Sequence, residues 1–386
     1  MKPLSAFYNR QPTTIFVTMS ALAAKHEAIN LGQGFPDTDG PEWIRKIAAD
    51  ALLRGLNQYP PMPGHPDLRK AVAEHNKRFY GLDIDPMTET LVTAGATEAL
   101  SACCLGLLNP GDEVVVIEPY YDSYVPQIIT AGGTPKFVRL SPPNWKLDEE
   151  NLRSAFSAKT KLLILNSPMN PAGKVFSRAE LELIARLLVE FDAYAVCDEV
   201  YEHLIFAPHK HVPLITLPGM QDRCLRIGSA GKTFSMTGWK VGYVTGCATL
   251  IKPVTAAHQY MTFTVNPAVQ VAVAQGLRAD DSYFAELVCS MDEGRQILTH
   301  GLAALGYKVL PCDGAYFLTA DFSHLNFKGT DAEFCIWLNK TAKVTAIPMS
   351  VFYHSDNGPP PQNLIRFCFA KRREVLEKAL ENLKAL

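Results

Sequence analysis

Between residues 90 and 227, six short apolar runs alternate with helical stretches, and this alternation restricts the fold more than any other feature of the chain. The runs fall at 90–92, 113–117, 134–139, 161–165, 193–197 and 224–227. Most are rich in β-branched residues and almost unbroken in hydrophobicity. Strands covered on both faces have this composition, because neither face meets water. Helical patterns at 97–108 and 178–191 lie between them. The pattern predicts an α/β fold, with a large domain built on a mostly parallel sheet flanked by helices. Ligands of such sheets sit beyond the carboxyl ends of the strands. Asn166, Asp198 and Ser229 follow directly, or nearly so, on predicted strands.

Beyond about residue 280 the pattern changes. A long helical stretch at 281–305 leads into strands near 308–310 and 315–321, a helix at 330–341, a strand at 364–369 and a last helix at 374–386. This predicts a smaller α+β domain. A chain of 386 residues exceeds one ordinary core. The expected division is an N-terminal arm and small-domain segment at 1–41, a large cofactor-binding domain at 42–288 and a small C-terminal domain at 289–386. The run Gly358-Pro359-Pro360-Pro361 reads as a rigid loop. No internal repeat or low-complexity tract is visible.

Composition narrows the function classes. Charged residues make up 20% of the chain and the net charge is −2, which argues against nucleic acid or an anionic membrane as partner. The basic run Lys371-Arg372-Arg373 precedes an amphipathic pattern and reads as a solvated helix start. The nine cysteines are odd in number and contain no Cys-x-x-Cys, so reduced, mostly buried thiols are expected. His209 and His211 have no Cys or Glu at metal spacing, and no metal site is expected. No apolar stretch reaches the ~20 residues of a membrane span, and the N-terminus lacks a signal-peptide core. The expected location is the cytoplasm.

The chemistry is carried by motifs in a fixed order: Asn166-Ser167-Pro168-Met169-Asn170-Pro171-Ala172-Gly173, then Asp198-Glu199-Val200-Tyr201, then Ser229-Ala230-Gly231-Lys232 with Lys240 downstream. Together they offer an amine nucleophile, a carboxylate, a phenol, an amide and a second cation. That set can hold pyridoxal 5′-phosphate (PLP) on a lysine and tune it as an electron sink. With Asn30-Leu31-Gly32-Gln33-Gly34-Phe35-Pro36-Asp37 near one end and Ile365-Arg366-Phe367-Cys368-Phe369-Ala370-Lys371 near the other, the chain resembles fold-type I PLP-dependent aminotransferases of class I/II. Within that group it looks most like methionine aminotransferases and the kynurenine–glutamine transaminase subgroup.

The resemblance implies a role for each matched residue. Lys232 stands at the Schiff-base lysine, and Asp198 at the carboxylate that keeps the pyridine nitrogen protonated. Tyr201 and Asn170 match the residues bonded to the cofactor's phenolic oxygen. Tyr121 matches the ring that stacks on the pyridine. Gly95-Ala96-Thr97, at a helix start, together with Ser229 and Lys240, match the phosphate ligands; many relatives have arginine where Lys240 stands. Arg366 matches the arginine that grips the substrate carboxylate, with the Gly34 backbone beside it. Tyr59 matches a tyrosine reaching the neighbouring subunit's phosphate, which implies a homodimer with shared active sites. Phe16, Tyr59 and Phe263, the last donated across the dimer, match an aromatic side-chain pocket.

The implied substrates are an amino acid and a 2-oxo acid. Between residues 249 and 277 the only Lys or Arg is Lys252, so no cation for a distal carboxylate is evident. This favours methionine or aromatic amino acids as donors. Cysteine-conjugate β-lyase or kynurenine/glutamine transaminase activity on the same site is the alternative. A non-enzymatic, aminotransferase-like regulatory module is a more distant one.

Overall fold

A computed structural model describes residues 2–386. Its centre is a seven-stranded sheet. The strands are β1 (Thr90–Thr93), β2 (Glu113–Glu118), β3 (Thr134–Arg139), β4 (Thr160–Asn166), β5 (Tyr194–Asp198), β6 (Cys224–Ser229) and β7 (Gly242–Gly246). Their order is β1-β7-β6-β5-β4-β2-β3, and β7 alone runs against the others. The expected mostly parallel, helix-flanked α/β architecture is therefore present. β1, β4 in all but one residue, and β5 through β7 almost throughout are buried, which explains their unbroken apolar sequence.

The six expected runs all form strands, shifted by a residue or two at their ends. The seventh, β7, was not evident from sequence. Its glycines at both ends imitate turns. The reason for one of them is contact: a Cβ on Gly242 would lie 2.6 Å from the carbonyl carbon of Gly95. Glycine inside a strand here marks a close backbone approach rather than a break.

Helix α1 (Ile15–His26) precedes the sheet, and α2 (Gly95–Leu107) follows β1. α2 begins two residues earlier than its pattern indicates. Helices α3 (Arg178–Glu190) and α4 (Ala248–Met261) also cover the central sheet, and α3 opens with a complete capping box between Ser177 and Glu180. The 24-residue α5 (Asp281–Ala304) leads to a second, four-stranded sheet. It contains β8 (Lys308–Val309), β9 (Phe317–Asp321), β10 (Ile347–Pro348) and β11 (Leu364–Cys368), all antiparallel, in the order β10-β11-β9-β8. The chain ends in α6 (Arg373–Leu383). One apolar cluster includes Leu163 and Val196 of the central sheet and Phe317 and Ile365 of the second. The two sheets are thus packed through a shared core, and the functional cavity lies between them.

The basic run before α6 is more than a solvated start. Lys371 Nζ donates to the Phe35 carbonyl at 2.8 Å, and the Arg372 backbone N–H donates to the Asp37 carboxylate. It ties the Phe35–Asp37 loop to the end of β11. The proline-rich loop is anchored too, since Arg139 donates to the carbonyls of Gly358 and Pro359. All nine cysteines are free thiols, and seven are buried. Among the described residues no helix is long and apolar enough to cross a membrane.

Candidate active site

Three adjacent parallel strands end in polar side chains. β4 ends at Asn166, β5 at Asp198 and β6 at Ser229, and Asn166 pairs with Asp198 in register. After β6 the chain makes a single helical turn, Ala230–Thr233, which carries Lys232. Parallel strands leave their carboxyl ends together at one edge, so these groups meet there. A cavity of about 360 Å³ opens at that edge.

Most of the residues singled out from sequence line this cavity. Lys232, Asp198, Tyr201, Asn170, Tyr121, Ser229, Lys240, Gly95, Ala96, Thr97, Arg366, Gly34 and Phe16 are all on its wall. Tyr59 and Phe263 are not. Their rings meet edge-on, with centroids 5.3 Å apart, and Tyr59 is 82% exposed. Within one chain they form an aromatic patch away from the cavity.

Lys232 Nζ donates to the Tyr316 hydroxyl at 2.9 Å and lies 3.4 Å from the Gly34 carbonyl oxygen. Burial pushes its pKa down to about 8, and Arg366 and Lys240 push the same way. A neutral amine is therefore accessible near physiological pH. Asp198 is buried. Its Oδ2 accepts from the Tyr124 hydroxyl at 2.6 Å, while Oδ1 has no partner. Burial raises its pKa to about 6, against the pull of the Tyr124 bond and the Lys232 charge. A buried carboxylate oxygen left unpaired is costly, and a cationic donor would relieve it.

Arg366 sits in the middle of β11 and is 1% exposed. Its Nη1 donates to Asn170 Oδ1 at 2.7 Å and its Nη2 to the Gly32 carbonyl at 2.8 Å. The guanidinium carbon lies 4.0 Å from the Phe317 ring centroid. Nε has no partner among the described residues, and burial lowers the pKa to about 10. Gly34 lies against the same ring: a Cβ there would come within 2.7 Å of Phe317 Cζ. Only glycine lets this backbone approach so closely.

At the far wall, α2 presents its first turn. A Cβ added to Gly95 would come within 3.2 Å of Lys240 Nζ, so the ammonium group lies directly against this helix start. Free backbone N–H groups, a hydroxyl and a cation together form an anion seat.

Residues 26–383 match the family model for aminotransferase class I and II. The chain belongs to this family. It is an aminotransferase. It is 44% identical over 382 residues to a probable N-succinyldiaminopimelate aminotransferase (DapC) of Mycobacterium tuberculosis, covering 97% of this chain and 96% of the relative. It is 40% identical over 399 residues to kynurenine–oxoglutarate transaminase 3 of Mus musculus, covering 97% and 88%. The structure superposes with a TM-score of 0.96 on the Escherichia coli protein YbdL, for which a methionine aminotransferase function is identified, at 41% identity and full coverage of both chains. Membership implies PLP as cofactor and amino and keto acids as substrates.

Sequence reasoning missed three groups around this cavity. Tyr124 lies three residues beyond Tyr121, across a turn that leads into a helix, and that spacing was the available signal. Tyr316 precedes Phe317 at the start of β9, where an apolar run conceals a hydroxyl. The third is a cluster behind the Asp198–Glu202 segment. Arg226 Nε donates to Glu199 Oε2 at 2.7 Å and Nη2 to Glu202 Oε2 at 2.9 Å, while Nη1 donates to Asn76 Oδ1. Its guanidinium carbon lies 4.5 Å from the Tyr80 ring centroid. The Tyr80 hydroxyl donates to Glu202 at 2.7 Å, and His211 Nε2 sits 2.9 Å from Glu199. His211 thus finds a buried carboxylate that its sequence neighbourhood does not reveal. His75, Glu202 and His203 also bring ligand atoms within 4.8 Å of one another, but Glu202 is already occupied by Arg226 and Tyr80.

Proposed function

We propose that the protein is a PLP-dependent aminotransferase that prefers methionine and aromatic amino acids as donors. The observation that carries this reading is the gathering of Lys232, Asp198 and Arg366 on one cavity wall, each with unfilled bonding capacity or a shifted pKa. The residues present fit the cofactor. Asp198 Oδ1 is an unpaired buried acceptor suited to a protonated ring nitrogen. The α2 start, Ser229 and Lys240 supply an anion seat suited to the phosphate. Tyr121 offers a ring face and Tyr201 a buried hydroxyl for the phenolic oxygen.

When bound, PLP supplies a sink for the electron pair released at the substrate Cα. The chain's own residues do the rest. Lys232 Nζ would hold the cofactor and is the group placed to move the Cα proton. Asp198 would keep the ring nitrogen protonated. Arg366 and the Gly34 backbone fix the substrate carboxylate, and Asn170 holds the guanidinium in place. Tyr59 and Phe263, exposed and paired outside the cavity, are proposed to complete the site of a partner subunit, giving a homodimer with shared active sites.

The relatives' names span several substrates, so similarity alone does not choose among them. The cavity supports a choice. Its charged wall residues are Asp198, Lys232, Lys240 and Arg366, each with a role above, and Phe16, Phe35 and Phe317 surround them. No further cation among the described wall residues waits for a distal carboxylate. A thioether or ring gains from burial and sulfur–aromatic contact, whereas an unpaired carboxylate costs several kcal/mol. The expected preference in kcat/KM for methionine or phenylalanine over aspartate is roughly a hundredfold or more. Assay of the PLP-loaded protein with single donors and a common 2-oxo acid tests this. Equal rates for aspartate and methionine would refute the apolar pocket.

A further inference from the structure

Tyr316 stands behind Lys232, off the cavity wall, with no part in the functions assigned above. It is fully buried. Its hydroxyl bonds the Gly34 carbonyl and the Lys232 amine, and the Tyr201 hydroxyl is a third polar neighbour. Tyr316 donates to the Gly34 carbonyl at 2.7 Å and accepts from Lys232 Nζ at 2.9 Å. The first bond commits the hydroxyl's single proton. Only its lone pairs remain for the lysine, so the amine must act as donor. The ring cannot drift, because it is packed edge-on against Tyr201 at 5.0 Å and Phe317 at 4.8 Å between centroids.

A neutral amine has two N–H bonds and one lone pair. Here one N–H is taken by Tyr316 and the other faces the Gly34 carbonyl at 3.4 Å. With both N–H bonds engaged, the lone pair is the one direction left free, and Lys232 itself lines the cavity.

We propose that Tyr316 is a positioning residue for Lys232: its hydroxyl, locked by the Gly34 carbonyl, anchors the free amine and turns the lone pair toward the cavity. The proposal rests on the aminotransferase reading of Lys232. It adds that the proton-transfer lysine, whenever not covalently engaged, has a built resting place. The same hydroxyl ties the lysine to the backbone of the loop that faces the substrate carboxylate.

A consequence separates this from a packing role. An acceptor bond is stronger to an ammonium than to a neutral amine, so Tyr316 holds the lysine pKa up. The other groups acting on Lys232 are Asp198 and Cys368, which raise its pKa, and Arg366 and Lys240, which lower it. Tyr316→Phe leaves all four in place.

The test is competitive acetylation of the cofactor-free protein across a pH series, with the Lys232 peptide quantified by mass spectrometry. The wild-type midpoint is expected near the value of about 8. In Tyr316→Phe it should fall by about half a unit or more. Site-specific 3-fluorotyrosine at position 316 keeps the shape but weakens the acceptor, and should give a smaller shift in the same direction. In the loaded enzyme, Tyr316→Phe should lower kcat about tenfold with KM within about twofold, since orientation for proton transfer is lost and binding is not. A midpoint that stays or rises in both variants overturns the proposal. Borohydride fixation of PLP separates the two levels. Label on a lysine other than Lys232 sinks the functional reading itself, whereas label on Lys232 with unmoved midpoints sinks only the role of Tyr316.

Discussion

The segment Asp198–Glu202 has two sides that solve opposite problems. Asp198 and Tyr201 face the cavity, while Glu199 and Glu202 face the cluster around Arg226. On the cavity side, polar groups are left short of partners: Asp198 Oδ1 and Arg366 Nε have none. Burial there drives pKa values toward the neutral form, up for Asp198 and down for Lys232 and Arg366. On the other side both carboxylates are held in the charged form, and Arg226 is held charged as well, because their mutual attraction outweighs burial. His203, in the same cluster, is pushed down to about 3 by burial and stays neutral. Burial is nearly complete on both sides, so it does not distinguish them. Partner count does. The unsatisfied side stores capacity for a cofactor and substrate, and the satisfied side fixes the backbone that presents it.

The sharpest way to break this contrast is to alter one carboxylate on the unsatisfied side. Asp198→Asn removes the charge that would keep the ring nitrogen protonated. Activity is expected to fall on the order of a thousandfold, the scale of losing a preorganised electrostatic partner. Stability of the cofactor-free protein should change by less than about 1 kcal/mol, since burial outweighs the Tyr124 bond and the Lys232 charge and the carboxylate's charge adds little to the fold. Turnover and thermal melting measured on the same preparation check both halves. A near-normal rate would show that another group serves the nitrogen.

The reverse pattern is expected behind the segment. Arg226→Met strands two buried carboxylates and should cost about 3–5 kcal/mol of stability. The triple variant with Glu199→Gln and Glu202→Gln should recover most of that loss, because no unpaired charge remains. Denaturation of the three proteins in urea reads the effect. If Arg226→Met melts normally but turns over poorly, the cluster is tuning chemistry rather than holding the fold, and the contrast drawn above fails.

The two sides were also unequally legible in the sequence. The cavity side is carried by short strings in which neighbours in sequence are neighbours in space: Lys232 lies three residues beyond Ser229, and Tyr201 three beyond Asp198. A strand end or a single turn is enough to bring such groups together. The Arg226 cluster draws on Asn76, Tyr80, Glu199, Glu202 and His211, so its contacts span up to 150 residues and have no local signature. Apart from Arg226, which lies in an apolar strand, each member taken alone reads as an ordinary helix or loop residue. β7 escaped notice for a related reason, since the glycine that fits it against Gly95 imitates a turn. The central sheet itself was legible because burial on both faces leaves a continuous apolar run. Tyr59 and Phe263 were singled out by resemblance, but they lie outside the cavity of a single chain, and the proposed dimer is what would bring them to one.

The smallest expected effect separates the sides by pH. Lys232 has a folded-state pKa of about 8, against 10.5 for an unhindered lysine. Between those values the unfolded chain binds more protons at this site than the folded one. Stability of the cofactor-free protein therefore gains a contribution that rises with pH across this window, at no more than about 1.4 kcal/mol per pH unit. The satisfied side behaves differently. Glu199 and Glu202 have folded pKa values below their ordinary 4.5, so their contribution is complete above that value and is lost only on acidification. Lys232→Met removes the alkaline slope and should leave the acid limb intact. The difference between wild-type and Lys232→Met stability curves isolates it, because the remaining lysines and tyrosines are common to both. Parallel curves from pH 8 to 10 would mean that the Lys232 amine is not desolvated, and the unsatisfied side would lose its central member.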